Sequence, residues 1–164
     1  MTYRIEVDPE VTSALSGIIE DTAFKWANYT PRTTYTVDEW RDRPIPEEDR
    51  PKTSSGYSLV NEEVPDIKKA IELLGANEST NAYMLMSGQG LGWHTNSNEP
   101  GIRTYYTFCI DPSVFIYKDP VTGEIVEDWD DVGWTARRFE VSDDPLFWHT
   151  VWSSGRRFSF GFSS

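Results

Sequence analysis

Only two histidines occur in the chain, His94 and His149, and each lies in an apolar or aromatic run: Gly92-Trp93-His94-Thr95-Asn96 and Phe147-Trp148-His149-Thr150-Val151. Two neutral imidazoles and one oxygen donor can occupy one face of an Fe(II) ion and leave the opposite face open for chemistry. In an extended chain residues i and i+2 point to the same side, so His94 and Asn96 can aim at one point. The oxygen donor at that spacing is ordinarily a carboxylate. An amide brings no charge and should hold the metal more weakly. Arg157 follows His149 across Ser153-Ser154-Gly155, which reads as a hairpin turn, so Arg157 is expected on the strand beside His149 and deep in the fold. A buried guanidinium is costly unless an anion pairs with it. A ligand carboxylate held by the planar fork is the natural partner, and Ser159, on the same face, adds a hydroxyl.

These residues need elements to position them. Tyr3, Ile5 and Val7 alternate with polar neighbours, which predicts an edge strand within Met1–Val7. Asp8-Pro9-Glu10 reads as a helix start, and Val11, Ala14, Leu15, Ile18 and Ile19 form a core-facing stripe after it. Asn28 to Tyr57 is polar and holds Pro31, Pro44, Pro46 and Pro51. It reads as a long covering loop, with one helical turn around Trp40, that either closes over a pocket or is merely structural. Asn61 to Leu74 reads as a second amphipathic helix stopped by Gly75. From residue 81 onward, short aromatic and β-branched runs are separated by turn residues, as in an antiparallel sandwich or barrel. Lys118 to Gly123 is a hairpin turn. The reading is one α+β, mainly β domain over 1–164: helices and covering loop in 1–80, buttressing a jelly roll of about eight strands in 81–164.

Composition narrows the function classes. A chain of 164 residues is long enough for one sizeable core, and seven Trp, eight Tyr and eight Phe supply it. The net charge of −12 disfavours nucleic acid and anionic lipid as partners. A single cysteine, Cys109, excludes an internal disulfide and reads as a buried strand residue. No signal peptide, membrane span or lipidation motif is apparent, so a cytoplasmic location is expected. Trp93, Trp148 and Trp152 read as core or pocket wall. Asp128, Asp130 and Asp131 lack the glycine-centred loop of a calcium site and read as a solvated acidic turn. Ser153 and Ser154 have no nucleophile elbow around them. Glu99 and Glu62 are candidates for a substitute carboxylate near the histidines.

Taken in order, the C-terminal half resembles the Fe(II)- and 2-oxoglutarate-dependent oxygenases, in particular the prolyl-4-hydroxylase-like branch. Ser87-Gly88-Gln89-Gly90 resembles that branch's approach to its first histidine, and His94-Thr95-Asn96 stands where it has His-x-Asp. Arg103 and Tyr105-Tyr106-Thr107 resemble the following strand, and Gly133 through Phe139 the strand before the second histidine. His149-x-Val151 and Arg157-x-Ser159 resemble the distal histidine and the Arg-x-Ser that grips the co-substrate. The resemblance spans about Tyr83 to Phe162 and implies a double-stranded β-helix of the jelly-roll or cupin-like type. It further implies Fe(II) on His94, Asn96 and His149, and 2-oxoglutarate on Arg157 and Ser159 with a phenol from Tyr83, Tyr105 or Tyr106, of which Tyr83 and Tyr106 are the choices taken forward. The expected activity is decarboxylation of 2-oxoglutarate to succinate coupled to hydroxylation of a peptide, amino acid or small metabolite. The alternative is a catalytically silent module that keeps the fold for binding or assembly.

Overall fold

The computed structural model describes residues 2–25, 34–46, 57–58 and 64–164. Its framework is two antiparallel sheets. The larger carries, in order, β1 (Thr2–Ile5), β8 (Gly133–Val141), β5 (Gly101–Cys109), β10 (Arg157–Ser163), β3 (Glu78–Leu85) and β2 (Tyr57–Ser58). The smaller carries β4 (Gln89–His94), β9 (His149–Ser153), β6 (Ser113–Lys118) and β7 (Ile125–Trp129). From β3 to β10 the chain alternates between the sheets, save for the β6–β7 hairpin within the smaller one, in the manner of a double-stranded β-helix, and β1 and β2 extend the larger sheet at its edges.

Helix α1 (Pro9–Lys25) starts as Asp8 and Pro9 predict, with Asp8 Oδ1 accepting from the Glu10 amide at 2.9 Å. Helix α3 (Pro65–Leu74) starts at its own proline, and Gly75 closes it at φ 61°, where a side chain would be strained. The stretch 61–63 that the sequence reading gave to this helix lies outside the described residues, as does Glu62. Val11, Leu15 and Ile18 of α1 and Ile67 and Ala70 of α3 bury against Met84, Tyr106, Phe158, Phe160 and Phe162 on the outer face of the larger sheet. The helices thus buttress that sheet and leave its inner face to the pocket.

The loop expected from Asn28 to Tyr57 is described only at 34–46 and 57–58. In it, α2 (Val37–Arg41) is capped by Thr36 in a reciprocal pair with Glu39. Trp40 is buried, and its Nε1 donates to Leu91 O at 3.1 Å and to Thr150 Oγ1 at 2.7 Å. It joins Trp93, Trp148 and Trp152 on the outer face of the smaller sheet. The described part of this segment therefore seals the back of the sheet rather than roofing the pocket, and the three tryptophans are core rather than pocket wall. Gly90 makes this docking possible, since a Cβ there would stand 2.2 Å from Val151 O and 2.5 Å from the Trp40 ring.

Two readings need correction. Ser153-Ser154-Gly155 is not a hairpin: β9 and β10 belong to different sheets, and the turn is a corner that carries the chain across the barrel. Ser154 N donates to Pro112 O at 2.9 Å, and a Cβ on Gly155 would meet Asp111 Oδ2 at 2.1 Å, so the corner is pressed against the β5–β6 connection. The acidic stretch also differs. Asp131 is exposed, but Asp130 is fully buried between two arginines, because Asp128 and Asp130 share the inward parity of β7 while Trp129 points out.

The candidate metal and anion pocket

His94 and His149 lie on adjacent strands, directly opposite each other in the β4–β9 register. Both are buried, and their ring centroids are 4.2 Å apart with planes tilted by 55°. Each Nδ1 sits against a backbone carbonyl, Gly92 O at 2.6 Å for His94 and Phe147 O at 2.9 Å for His149. A carbonyl can only accept, so Nδ1 carries the proton in both rings and Nε2 keeps its lone pair. A carbonyl that fixes the tautomer and orients the ring is the usual support of a metal-ligating histidine. Phe115, Phe139 and Phe147 flank the His149 ring at centroid distances of 5.6, 5.3 and 5.2 Å and keep that corner apolar.

Asn96 completes the corner. It is left-handed at φ 57°, a conformation that asparagine tolerates better than most residues. Its carbonyl accepts from Glu99 N at 3.0 Å, which closes the turn. Its Nδ2 lies 3.4 Å from His149 Nε2, so the amide faces the lone pair that a metal would use. Turning the amide over would present Oδ1 instead. The two imidazoles fit a divalent ion, and the third position offers an uncharged oxygen. Glu99 does not replace it: its side chain is exposed and leans toward Arg103, 3.8 Å away. Among the described residues, no cluster of three or more His, Cys, Asp or Glu side chains could hold a metal.

The opposite wall is the inner face of the larger sheet. β10 runs between β3 and β5 with Tyr83, Ser159 and Thr107 in one row across it. These three line a pocket with both histidines, Asn81, Leu91, Tyr105, Phe115, Arg137, Val151 and Arg157, enclosing about 360 Å³ counted with its open mouth. The corner at Ser153–Gly155 is what sets Arg157 across from the imidazoles rather than beside them. Arg157 is fully buried, with Nε donating to Asp130 Oδ2 at 3.0 Å and Nη2 to Thr107 Oγ1 at 3.4 Å. Its Nη1 and the Ser159 hydroxyl have no hydrogen-bond partner. Burial pushes the Tyr83 phenol up against the pull of the neighbouring Arg157, so it stays protonated and can donate.

Sequence reading missed the group beneath this wall. Arg137 donates from Nε to Asp128 Oδ2 at 2.6 Å and from Nη1 to Asp130, and Ser113 Oγ also donates to Asp130. Burial would raise the Asp130 carboxyl, but the charges of Arg157 and Arg137 overrule it and hold it well below the usual carboxylate range. Two guanidiniums and two carboxylates thus balance beneath the pocket, and both arginines line it. Tyr106 does not reach the pocket. It has the other parity on β5, packs in the core under the helices, and its hydroxyl accepts from Asp8 N at 3.2 Å. Tyr105 has the inward parity and lines the pocket in its place.

No family model matches the sequence, and no curated protein matches it. Solved structures do match in fold. A prolyl hydroxylase from Trichoplax adhaerens, in complex with a hypoxia inducible factor oxygen degradation domain peptide fragment, superposes with a TM-score of 0.54 at 10% identity, covering 99% of this chain and 82% of that one. A prolyl-4-hydroxylase from Pseudomonas putida gives a TM-score of 0.52 at 10% identity, covering 99% and 91%. The chain therefore shares the double-stranded β-helix fold of these prolyl hydroxylases, mainly β with two antiparallel sheets; at this identity the likeness speaks for fold alone.

Proposed function

We propose that the chain is an Fe(II)- and 2-oxoglutarate-dependent oxygenase that hydroxylates a peptide, an amino acid or a small metabolite. One observation carries the reading: two oriented imidazoles meet at one end of a pocket whose opposite wall presents an unengaged guanidinium nitrogen. When bound, Fe(II) with 2-oxoglutarate supplies an oxidant from O₂ as the co-substrate loses CO₂ and becomes succinate. His94 and His149 would hold the metal through Nε2, with Asn96 Oδ1 as a weak third contact. Arg157 Nη1, Ser159 Oγ and the Tyr83 hydroxyl would grip the far carboxylate, a charge-assisted arrangement suited to a carboxylate. Leu91, Phe115 and Val151 keep water from the space between. The peptide bound to the Trichoplax relative makes a peptide the first substrate class to test.

Asn96 favours a second reading, in which the same pocket binds a small acid without turning it over, since the missing carboxylate removes one negative charge from the metal face. Anaerobic titration with Fe(II) and 2-oxoglutarate decides between them. The oxygenase reading expects a weak visible metal-to-ligand band and succinate after air is admitted; 2-oxoglutarate binding with neither band nor succinate selects the acid-binding module. Asn96→Asp should tighten Fe(II) binding by tenfold or more, because it restores a charged donor. An unchanged affinity would remove Asn96 from the metal.

A further inference from the structure

Leu91 and His94 both line the pocket although they stand three residues apart on β4. On a regular strand, residues an odd number apart face opposite sides. The β4–β9 pairing resolves this: Leu91 faces Val151 and His94 faces His149, so Gly92 and Trp93 together oppose Thr150 alone. The extra residue makes a bulge, and bulges re-aim side chains. This one turns His94 inward. It also sets Gly92 O against His94 Nδ1 at 2.6 Å, the contact that fixes the tautomer of the ring. Both neighbours of Gly92 are tied to α2 from the outer face of the sheet. Trp40 Nε1 donates to Leu91 O at 3.1 Å, and Trp93 Nε1 donates to Arg41 O at 3.4 Å. Thr150, opposite the bulge, donates through Oγ1 to Leu91 O and accepts from Trp40 Nε1 at 2.7 Å.

A bulge disrupts the ladder locally, so its peptide planes are the least constrained of the strand. Gly92, with no Cβ, adds freedom at that point, and its carbonyl keeps its aim only while its neighbours are held. A buried carbonyl such as Leu91 O is costly to leave without a donor, so the indole N–H is a strong hold. His149 is supported by other parts of the fold. Its Nδ1 sits against Phe147 O, and the three phenylalanines around its ring come from β6, β8 and the segment before β9. We propose that Trp40 is a positioning residue for His94: α2, docked on the outer face of the smaller sheet, clamps the bulge that aims this imidazole and its lone pair into the pocket. The inference deepens the proposed function, and rests on it only in giving His94 a metal to meet.

The test reads the imidazole nitrogens by nuclear magnetic resonance of ¹⁵N-labelled protein at about pH 8, above the usual range of histidine titration. With only two histidines in the chain, His94→Gln assigns both. In the parent each ring should show one tautomer, protonated at Nδ1. Trp40→Phe keeps an aromatic ring in the slot and removes the N–H. It should mix the tautomers of His94, leave His149 unchanged, and weaken Zn(II) binding about tenfold by calorimetry, the scale on which a ligating histidine depends on its supports. Trp152→Phe is the matched control, because its indole N–H ties the same segment to β9 through Tyr35 O at 2.9 Å without touching the bulge. It should leave His94 in one tautomer and Zn(II) affinity unchanged. A His94 already mixed in the parent, or still fixed in Trp40→Phe, overturns the proposal. So do equal changes in both histidines, or equal effects of the two tryptophan variants, since either means general loosening. Thr150→Val removes the other donor to Leu91 O and decides the matter if Trp40→Phe does not fold. Although Thr150 adjoins His149 in sequence, the disturbance should appear at His94; one confined to His149, or none, refutes the clamp. The tautomers are read without metal, so a protein that binds neither Fe(II) nor Zn(II) would sink the oxygenase reading while this one is still decided.

Discussion

Asp130→Asn should be among the most damaging single changes to this pocket, and its cost can be worked from the contacts. The carboxylate is 0% exposed and the two arginine side chains it pairs with are 2% exposed each. Arg137 would keep Asp128, whereas Arg157 would keep only the Thr107 hydroxyl at 3.4 Å. Removing one partner of a buried pair costs about 3–5 kcal/mol, because the other charge stays buried without compensation. In a domain of this size each kcal/mol moves the midpoint by about 2–4 °C, so the variant should melt about 6–20 °C lower. Asp128→Asn is the comparison: that side chain is 26% exposed and Arg137 retains Asp130, so a loss of about 1 kcal/mol is expected. Thermal melts at pH 7 and low salt measure both. Added sulfate should recover more stability in Asp130→Asn than in the parent, since the freed guanidinium gains an anion. A drop under about 2 °C, or equal costs for the two variants, would refute the view that Asp130 anchors the pocket floor.

Three further outcomes follow from the same geometry. Asp130 has its pKa depressed in the folded protein, so its contribution is complete above the unfolded value of about 3.9 and is lost as pH falls below it; the parent should weaken from about pH 5 downward, and Asp130→Asn should show a flatter acid limb. Gly90→Ala should displace Trp40, cost about 1–3 kcal/mol and red-shift the tryptophan emission, because one of the obstructing atoms is a backbone carbonyl that cannot yield; an unshifted spectrum would count against the docking of α2. Tyr83→Phe should leave the melting temperature nearly unchanged and weaken 2-oxoglutarate binding about tenfold, measured by calorimetry, as expected for a phenol that donates to a ligand carboxylate; unaltered affinity would remove Tyr83 from the anion site.

The scaffold was legible in the sequence where one signal dominated. Pro9 set a helix start, Gly75 a helix stop, and the alternating aromatic runs announced the sheets; the reading began the last helix at Asn61 and passed over Pro65, where it starts. Parity decided the residues that were harder to read. Tyr105 and Tyr106 are adjacent and chemically alike, and only the register with β8 and β10 tells which one faces inward. Asp130 was disguised by its charged neighbours, although alternation along Ile125 to Trp129 already set Asp128 and Asp130 on the side away from Trp129. Matching that pair to arginines on other strands would have needed the sheet order. The corner after Ser153 looked like a hairpin because serine and glycine serve both kinds of turn; what separates them is the contact with Asp111 and Pro112, which lies far away in sequence.

That corner makes the cavity a caliper. His149 and Arg157 are close along the chain yet stand on facing jaws, one on each sheet. Under the proposed function a diacid would be held between jaws joined by a turn that does not itself line the cavity.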